Sequence, residues 1–510
     1  MPAADAFFAG SPFQLTGYRQ AFARLGERFD RPARERAARA LQPTSNAARA
    51  RLARWVEDGG AVVTTGQQAG LFGGPLYTVH KILTAVRLAA VLERELGALV
   101  LPVFWVASED HDWAEVDHTD LVDAHDRLRR IRLANPADAR PLPMSERRLD
   151  GSVEAALAEL RQASSRQGLV PAALDTVEAA YRPGTGMATA FGELIAALFA
   201  RFDLLITDAA DPALKHASLP TLTAELDAGR RPETALQQRA HDLLAAGYHA
   251  QVTLLPGAPN LFLRTDYGRE RLHARDGGFV APDSRTELSA AALQALARAE
   301  PGRLSPNVLL RPVVESAVFP VLAYVGGPGE ISYFAQLAPL FTAHAVEMPR
   351  VFPRASLSLV PRRIGRLLDE LGLDRRAPLR EGRDRLAAAL VRAAAPPHLA
   401  AALARLRVDL TEGFEELIDG GEAFAPPLGA ALAAHRNRTL AELARAEQTL
   451  LKHVRLREAA RLRQLDRVLA HLAPYGAPQD RVLNVFSYLA DGGDDLLHRV
   501  AACVPDPFSA

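Results

Sequence analysis

Cysteine is nearly absent from this chain: Cys503 is the only one in 510 residues. No intramolecular disulfide and no cysteine-rich metal cluster can form, which fits a reducing compartment. An excess of either charge is also missing. The 60 basic and 60 acidic side chains cancel, leaving no net electrostatic footprint for nucleic acid or an anionic membrane. Long hydrophobic runs are lacking too. The longest, Gly97 to Ala107, holds Pro102 and stops before Glu109, far short of the ~20 residues that span a bilayer. Met1 to Leu15 has no basic segment followed by an apolar one, so no signal peptide is expected. No Gly-x-Ser-x-Gly elbow and no legible Cys/His pair is present, and Cys503 reads as a small buried hydrophobe on a C-terminal helix. A soluble, cytoplasmic protein is the expectation.

What is present is ample core material, with 48% hydrophobic residues in a length that suggests about three domains. The first sixty residues read as two amphipathic helices broken near Pro43. Ala61 to Thr65 is a β-branched run that leads into the Gly-rich loop Gly66 to Pro75. A helix-period segment follows from Leu76 to about Leu96, then the apolar run Leu99 to Ala107. Strand, helix, strand in this order is a βαβ unit, and predicts parallel pairing. Leu204 to Thr207 and Val318 to Val325 are further parallel-strand candidates. The first follows a helix around Met187 to Phe202, and the second runs into a glycine loop and a helix from about Glu330 to Phe341. Polar, Pro-rich segments at about 126–180 and 211–300 look like insertions, with a strand pair over Gln251 to Arg264.

Beyond about residue 380 the pattern is almost purely helical. Helices are expected near 384–394 and 398–418, then a turn at Gly420, Gly421, Pro426 and Pro427, then a long helix over about 428–472. Two long helices about such a turn make an antiparallel hairpin with coiled-coil packing, or an ordinary helical bundle. The apolar stripe of the longer helix outruns its partner, which predicts a homodimer through this arm. The last segment, Pro474 to Ala510, is expected to fold back onto the core.

Ligands of open α/β sheets bind outside the carboxyl ends of the strands. Three segments fall there. In Gly66 to Pro75, the glycines permit close approach, the Gln67 and Gln68 amides can orient a ligand, and Lys81 can neutralise a phosphate or carboxylate; a tight βα turn explains the glycines equally. Ser108-Glu109-Asp110-His111-Asp112, with Asp117 and His118 behind it, groups a histidine with carboxylates. That suits a general base, an amine-binding site or, less readily, a metal, and a satisfied loop network is the plain alternative. Val325 to Glu330 is again strand, glycine loop, helix. Asn307, Arg311 and Glu315 precede it, and Arg311 either clamps a carboxylate or makes a surface or interdomain salt bridge.

The stretch T-T-G-Q-Q-A-G-L-F-G-G-P-L-Y-T-V-H-K, Thr64 to Lys81, resembles the N-terminal signature of the cysteine-adding enzymes of bacillithiol biosynthesis, a family of cysteine ligases. P-V-F-W-V-A-S-E-D-H-D-W-A-E-V-D-H (Pro102 to His118) is similar to its second signature. S-P-N-V-L-L-R-P (Ser305 to Pro312), the block Phe319 to Leu337, M-P-R-V-F-P-R (Met348 to Arg354) and R-V-L-N-V-F-S-Y-L (Arg481 to Leu489) resemble further blocks in order. Two positions depart from the family pattern, Asp117 for a usual asparagine and His80 for a usual tyrosine.

The resemblance implies an α/β, Rossmann-like parallel-sheet core like that of class I aminoacyl-tRNA synthetases, with connecting-peptide insertions, and a C-terminal all-α coiled-coil arm. On that view 1–380 is the core, 381–474 the arm and 475–510 a segment packing back. It implies that cysteine is joined to glucosaminyl-malate with ATP as cosubstrate and Mg accompanying the nucleotide, although no His-x-Gly-His or Lys-Met-Ser-Lys-Ser motif is present. The expected partners are these small molecules and a second copy through the arm, with no nucleic acid and no membrane. The candidate catalytic residues are Asp110, His111 and Asp112. Candidates for binding substrate or nucleotide are Gly66, Gln67, Gln68, Gly73, Gly74, Tyr77, Lys81, Glu109, His118, Asn307, Arg311, Gly326, Gly327 and Glu330; no metal-binding residue is assigned. Two other functions fit the same residues: a nucleotide-binding scaffold whose coiled coil recruits partners, and a nucleotidyltransferase acting on another small acid.

Overall fold

The computed structural model describes residues 5–164, 171–227, 232–253, 255, 257–492 and 495–508. Two compact units result: residues 1–124, 129–357 and 480–510 form the first, 125–128 and 358–479 the second. The helical unit therefore takes in residues from 358 onward, some twenty earlier than the shift to a helical pattern suggests.

The first unit is organised by a six-stranded sheet. Its strands are β1 (Gln42–Pro43), β2 (Ala61–Gln67), β3 (Val100–Val106), β4 (Leu205–Asp208), β5 (Val321–Gly326) and β6 (Arg350–Pro353). The order is β1-β4-β3-β2-β5-β6. All neighbours run parallel except β1, which is antiparallel to β4. Pro43 sits on that edge strand, where a missing N–H leaves no ladder bond broken. Side chains alternate between two covered faces: Val62, Leu101, Val103 and Trp105 join one apolar cluster, and Ala61, Val63, Val100 and Val325 another. Burial on both faces explains why these strands read as continuous apolar runs rather than alternating ones.

Helix α1 (Leu76–Leu96) connects β2 to β3, and places Ala85, Leu88 and Leu92 on the second face. It ends where Gly97 takes the left-handed conformation that a C-cap favours. The N-terminal region holds three helices, Leu15–Arg28, Arg31–Ala38 and Asn46–Asp58, rather than two. Local caps make the divisions: Asp30 accepts the N–H of Ala33 and Ser45 that of Ala48.

Helix α2 (Arg311–Val318) precedes β5, and α3 (Pro328–Phe334) follows it. The single helix expected over 330–341 is broken, and a second begins at Ala338. Pro339 would clash with a carbonyl one turn back in a continuous helix. The strand pair also lies later than expected: Leu261–Thr265 pairs antiparallel with Gly268–Arg271 and with Leu304–Pro306. Pro259 has no N–H to give a ladder, and the alternating L-F-L-R-T run beyond it supplies the strand. Leu254 and Pro256 of the expected pair lie outside the described residues. Cys503 is exposed at the end of helix Leu496–Ala502, not buried within it.

The second unit packs helices Arg362–Leu371, Ala377–Ala393 and Ala459–Leu472 about Ile364, Leu368, Leu390, Leu465 and Leu469. Asp126 enters it as a buried anion, held by Arg363, Arg467 and His471 at 2.6–3.0 Å. The arm is a hairpin of α4 (Pro397–Phe424) and α5 (Pro426–Arg457), turning on Ala425 alone. Gly420 and Gly421 belong to α4 instead of the turn. A Cβ on Gly421 would lie 2.8 Å from Leu432 and 3.4 Å from the backbone of Gly429, so the glycines permit close packing at the tip. Among the described residues no single helix is long and apolar enough to cross a membrane. The pair 377–393 and 397–424 reaches that length and hydropathy only together, across a 99° bend.

Candidate active site

Without β1, the sheet runs third, second, first, fourth, fifth in chain order of its parallel strands, so the strand order reverses between β2 and β5. Crevices at such a point are where open sheets bind ligands. A cavity of about 980 Å³ opens there. Its lining takes Gly66, Gln67 and Gln68 from the end of β2, Glu109 to His111 after β3, and Gly327 to Glu330 after β5. Tyr77, Lys81, His118, Asn307 and Arg311 also line it. Four of the sequence candidates, Gly73, Gly74, Gly326 and Asp112, are not among the lining residues.

The glycine loops contribute shape more than hydrogen-bond donors. Phe72, Gly73 and Gly74 all have positive φ (52°, 90° and 70°), and their N–H groups turn inward: Gly73 donates to Gly70 and Gly74 to Leu71. Asn484, from the C-terminal R-V-L-N block, pins this loop by donating to the carbonyls of Phe72 and Gly74, both at 2.9 Å. In the other loop, the Gly327 N–H is given to the Glu330 carboxylate at 2.8 Å. The N–H groups of Gly73, Gly74 and Gly327 are therefore already taken.

The two expected counter-charges are also engaged. Lys81 is buried and pairs with Glu330 at 2.5 Å, while donating to the Gly66 carbonyl and the Gln67 amide oxygen. Burial drives its pKa below the ordinary lysine value, against the pull of Glu330. Burial pushes Glu330 up in turn, but Lys81 and the Gly327 N–H outweigh it and hold that carboxyl low. Arg311 pairs with Glu315 at 2.9 Å and donates to the hydroxyls of Tyr324 and Tyr333. Asn307 is largely engaged: its Oδ1 accepts the N–H groups of Leu309 and Leu310, and its Nδ2 donates one hydrogen to Asn260. Glu109 is neutralised by Lys215.

The groups with chemistry to spare lie after β3. Asp110 accepts the N–H groups of His111 and Asp112 on one oxygen, and the Gln68 amide at 2.6 Å on the other. Burial pushes its pKa up, but Gln68, the two N–H groups and Arg269 more than offset this and keep it ionised. Burial, with Arg269 nearby, pushes His111 below the ordinary histidine value, so the ring is neutral at pH 7. Its Nδ1 is buried without a hydrogen-bond partner, 3.9 Å from the Asp110 carboxylate. Asp112 is exposed. His118 is better oriented: its Nδ1 meets Asp117 at 2.7 Å, and the other oxygen of that buried carboxylate lies 3.3 Å from Arg132. A carboxylate at Nδ1 fixes the tautomer and leaves Nε2 as the lone-pair nitrogen.

Several lining residues were not found from the sequence: Phe262, Arg269 and Arg271 of the inserted small sheet, and Arg354 and Arg481. Arg354 pairs with Asp480 at 2.5 Å. The one available signal was the R-E-R alternation at 269–271, which puts the two arginines on one strand face. Among the described residues no group of three or more His, Cys, Asp or Glu is placed to hold a metal ion.

Comparison with known proteins matches two family descriptions. Residues 1–355 match the bacillithiol biosynthesis BshC N-terminal Rossmann-like domain, and 357–509 its C-terminal coiled-coil domain. A protein of Solibacter usitatus (strain Ellin6076), named "Putative cysteine ligase BshC", is 32% identical over 458 residues, 88% of this chain and 83% of its own length. Proteins of the same name from Geobacillus thermodenitrificans (strain NG80-2) and Salinibacter ruber (strain DSM 13855 / M31) are 31% and 32% identical. They cover 88% and 86% of this chain, and 82% and 80% of their own lengths.

Proposed function

Because this chain belongs to the BshC family of bacillithiol biosynthesis, in both its Rossmann-like and coiled-coil regions, we propose that it is a ligase joining the carboxyl of cysteine to the amine of glucosaminyl-malate. A carboxylate and an amine do not condense in water, so the carboxyl must be activated; ATP, accompanied by Mg, is the cosubstrate in this reading. The amine nitrogen then bonds to the activated carbonyl carbon, the activating group leaves with its oxygen, and the ammonium proton passes to a base.

The observation that supports this best is one cavity at the strand-order reversal that gathers Asp110, His111 and His118. Asp110, ionised and fixed by Gln68 and two backbone N–H groups, suits the α-ammonium of cysteine. His118, with its tautomer set by Asp117, suits the proton transfer. The thiol substrate and the single cysteine of the chain fit a reducing compartment, the cytoplasm. The test is mass spectrometry of the purified protein with cysteine, glucosaminyl-malate and ATP. A cysteinyl amide product is expected, reduced about 100-fold or more in His118→Ala for loss of a general base. No product from the wild type would refute the assignment. Full turnover by His118→Ala with loss in His111→Ala would move the proton to His111.

A further inference from the structure

The inserted sheet brings to the cavity two arginines that make no close ion pair with a carboxylate of the protein, although Glu109 and Asp110 act on Arg269 from a greater distance. Arg269 and Arg271 are separated by one residue on strand Gly268–Arg271, so they project from the same face about 7 Å apart. The residue between them, Glu270, turns the other way, is buried, and is held by Thr265 and Ser284. The partner strand places Phe262 directly opposite Arg271. Its ring lies 3.8 Å from the Arg269 guanidinium and 5.8 Å from that of Arg271.

The remaining bonds of Arg269 are neutral: its Nε donates to the Ser305 hydroxyl at 2.9 Å and one Nη to the Pro306 carbonyl at 2.8 Å. The Arg271 Nε is buried with no hydrogen-bond partner. Neither arginine has a carboxylate within ion-pair distance among the described residues, whereas Lys81, Arg311 and Arg354 on the same cavity each have one. The strand is also held in place. The Arg269 N–H donates to the Pro141 carbonyl, and Gly268, at φ +125°, packs so closely on Pro141 that a Cβ would come within 2.8 Å.

A guanidinium partly withdrawn from water with no anion in contact, as Arg271 is, gains when a ligand carboxylate completes the pair. We propose that Arg269 and Arg271, with Phe262 as an apolar floor between them, form a subsite for a short-chain dicarboxylate, one carboxylate to each guanidinium. Two guanidinium groups flanking a ring, Arg269 with one Nη still free and Arg271 with its whole edge, match two separated carboxylates on a carbon chain better than a single compact phosphate. The subsite adjoins the proposed reacting groups: His111 lies 6.4 Å from the Phe262 ring, centroid to centroid. It rests on the ligase reading above, and assigns to these residues the malate end of the acceptor, leaving its amine toward Asp110 and His118.

Calorimetry with L-malate, L-lactate and ATP on the full-length wild type, Arg271→Ala, Arg271→Lys and Arg269→Ala tests this without turnover. Arg271 makes no side-chain hydrogen bond or ion pair with the described residues, so its removal should leave the melting temperature unchanged. The wild type should prefer L-malate to L-lactate. Arg271→Ala should weaken L-malate about tenfold or more, the usual size of a lost charge-assisted pair, with ATP affinity unaltered and Arg271→Lys intermediate. Undiminished L-malate binding by both alanine variants overturns the subsite. So does a loss confined to ATP, or a wild type that does not distinguish the two acids. Failure of the wider reading looks different: the wild type would bind L-malate through these arginines yet make no cysteinyl product.

Discussion

Glu330→Gln isolates the ion pair beneath the cavity floor. Lys81 and Glu330 keep only 5% and 20% of their side-chain surface exposed, and meet at 2.5 Å. Glutamine preserves the shape of the residue and an acceptor for the Gly327 N–H, but removes the charge. The Lys81 ammonium is then left with the Gly66 carbonyl and the Gln67 amide oxygen. Breaking a buried pair in this way costs about 3–5 kcal/mol; with Glu330 partly open to the cavity, about 3 kcal/mol is expected. For a unit of some 380 residues that is a fall in melting temperature of about 4 °C.

The sign with pH follows from Lys81. Burial already sets its folded value below the ordinary 10.5, and Glu330 opposes that shift. Without Glu330 the folded value drops further, so over the window up to 10.5 the unfolded chain binds more protons and stability rises with pH. The deficit of Glu330→Gln should therefore shrink as pH rises from neutral toward 10.5. Thermal unfolding of Glu330→Gln, Lys81→Met and the double variant measures it, and the double should be less destabilised than the sum of the singles. A deficit flat with pH, or singles that add within about 0.5 kcal/mol, would refute the coupling.

Asp126 offers a test in the helical unit. Burial pushes its carboxyl up, but His471, Arg467 and Arg363 hold it far below the ordinary carboxylate range. Its stabilisation is therefore present in full above the unfolded value near 3.8 and is lost as pH falls through the folded one. Asp126→Asn should cost about 3 kcal/mol at pH 7 and flatten the acid limb of the unfolding profile; circular dichroism melts at several pH values would show no change if the cluster is idle. The arm yields the other expectation. Its two helices, 28 and 32 residues long, are closer in length than the sequence suggested, yet Leu406, Val408, Leu417, Phe424 and Leu428 remain exposed. A homodimer through this hairpin is expected, and light scattering that returned 55.0 kDa at micromolar concentration would refute it.

Local sequence determined the elements. Two-faced apolar runs gave β2, β3 and β5; the stripe at 76–96 gave α1; glycine and proline marked most breaks. The order of strand, loop and helix was enough to point to a candidate site at the carboxyl edge, and Gln67, Gln68, Tyr77, Lys81, Asp110, His111 and His118 line a cavity there. Whether a charge near that edge is free, however, depends on which residue distant in the chain lies against it. Lys81 meets Glu330, and Asn484 ties down a loop more than four hundred residues earlier. The first neutralises a cation that looked available, and the second fixes the glycine loop through its carbonyls. Conversely, Arg269 and Arg271 sit in a polar insertion with no motif, and only the antiparallel pairing with Phe262 and the anchoring on Pro141 bring them to the cavity. Sequence period fixes which face of a strand a side chain takes; tertiary packing alone decides whether that face meets a counter-ion, solvent or a ligand.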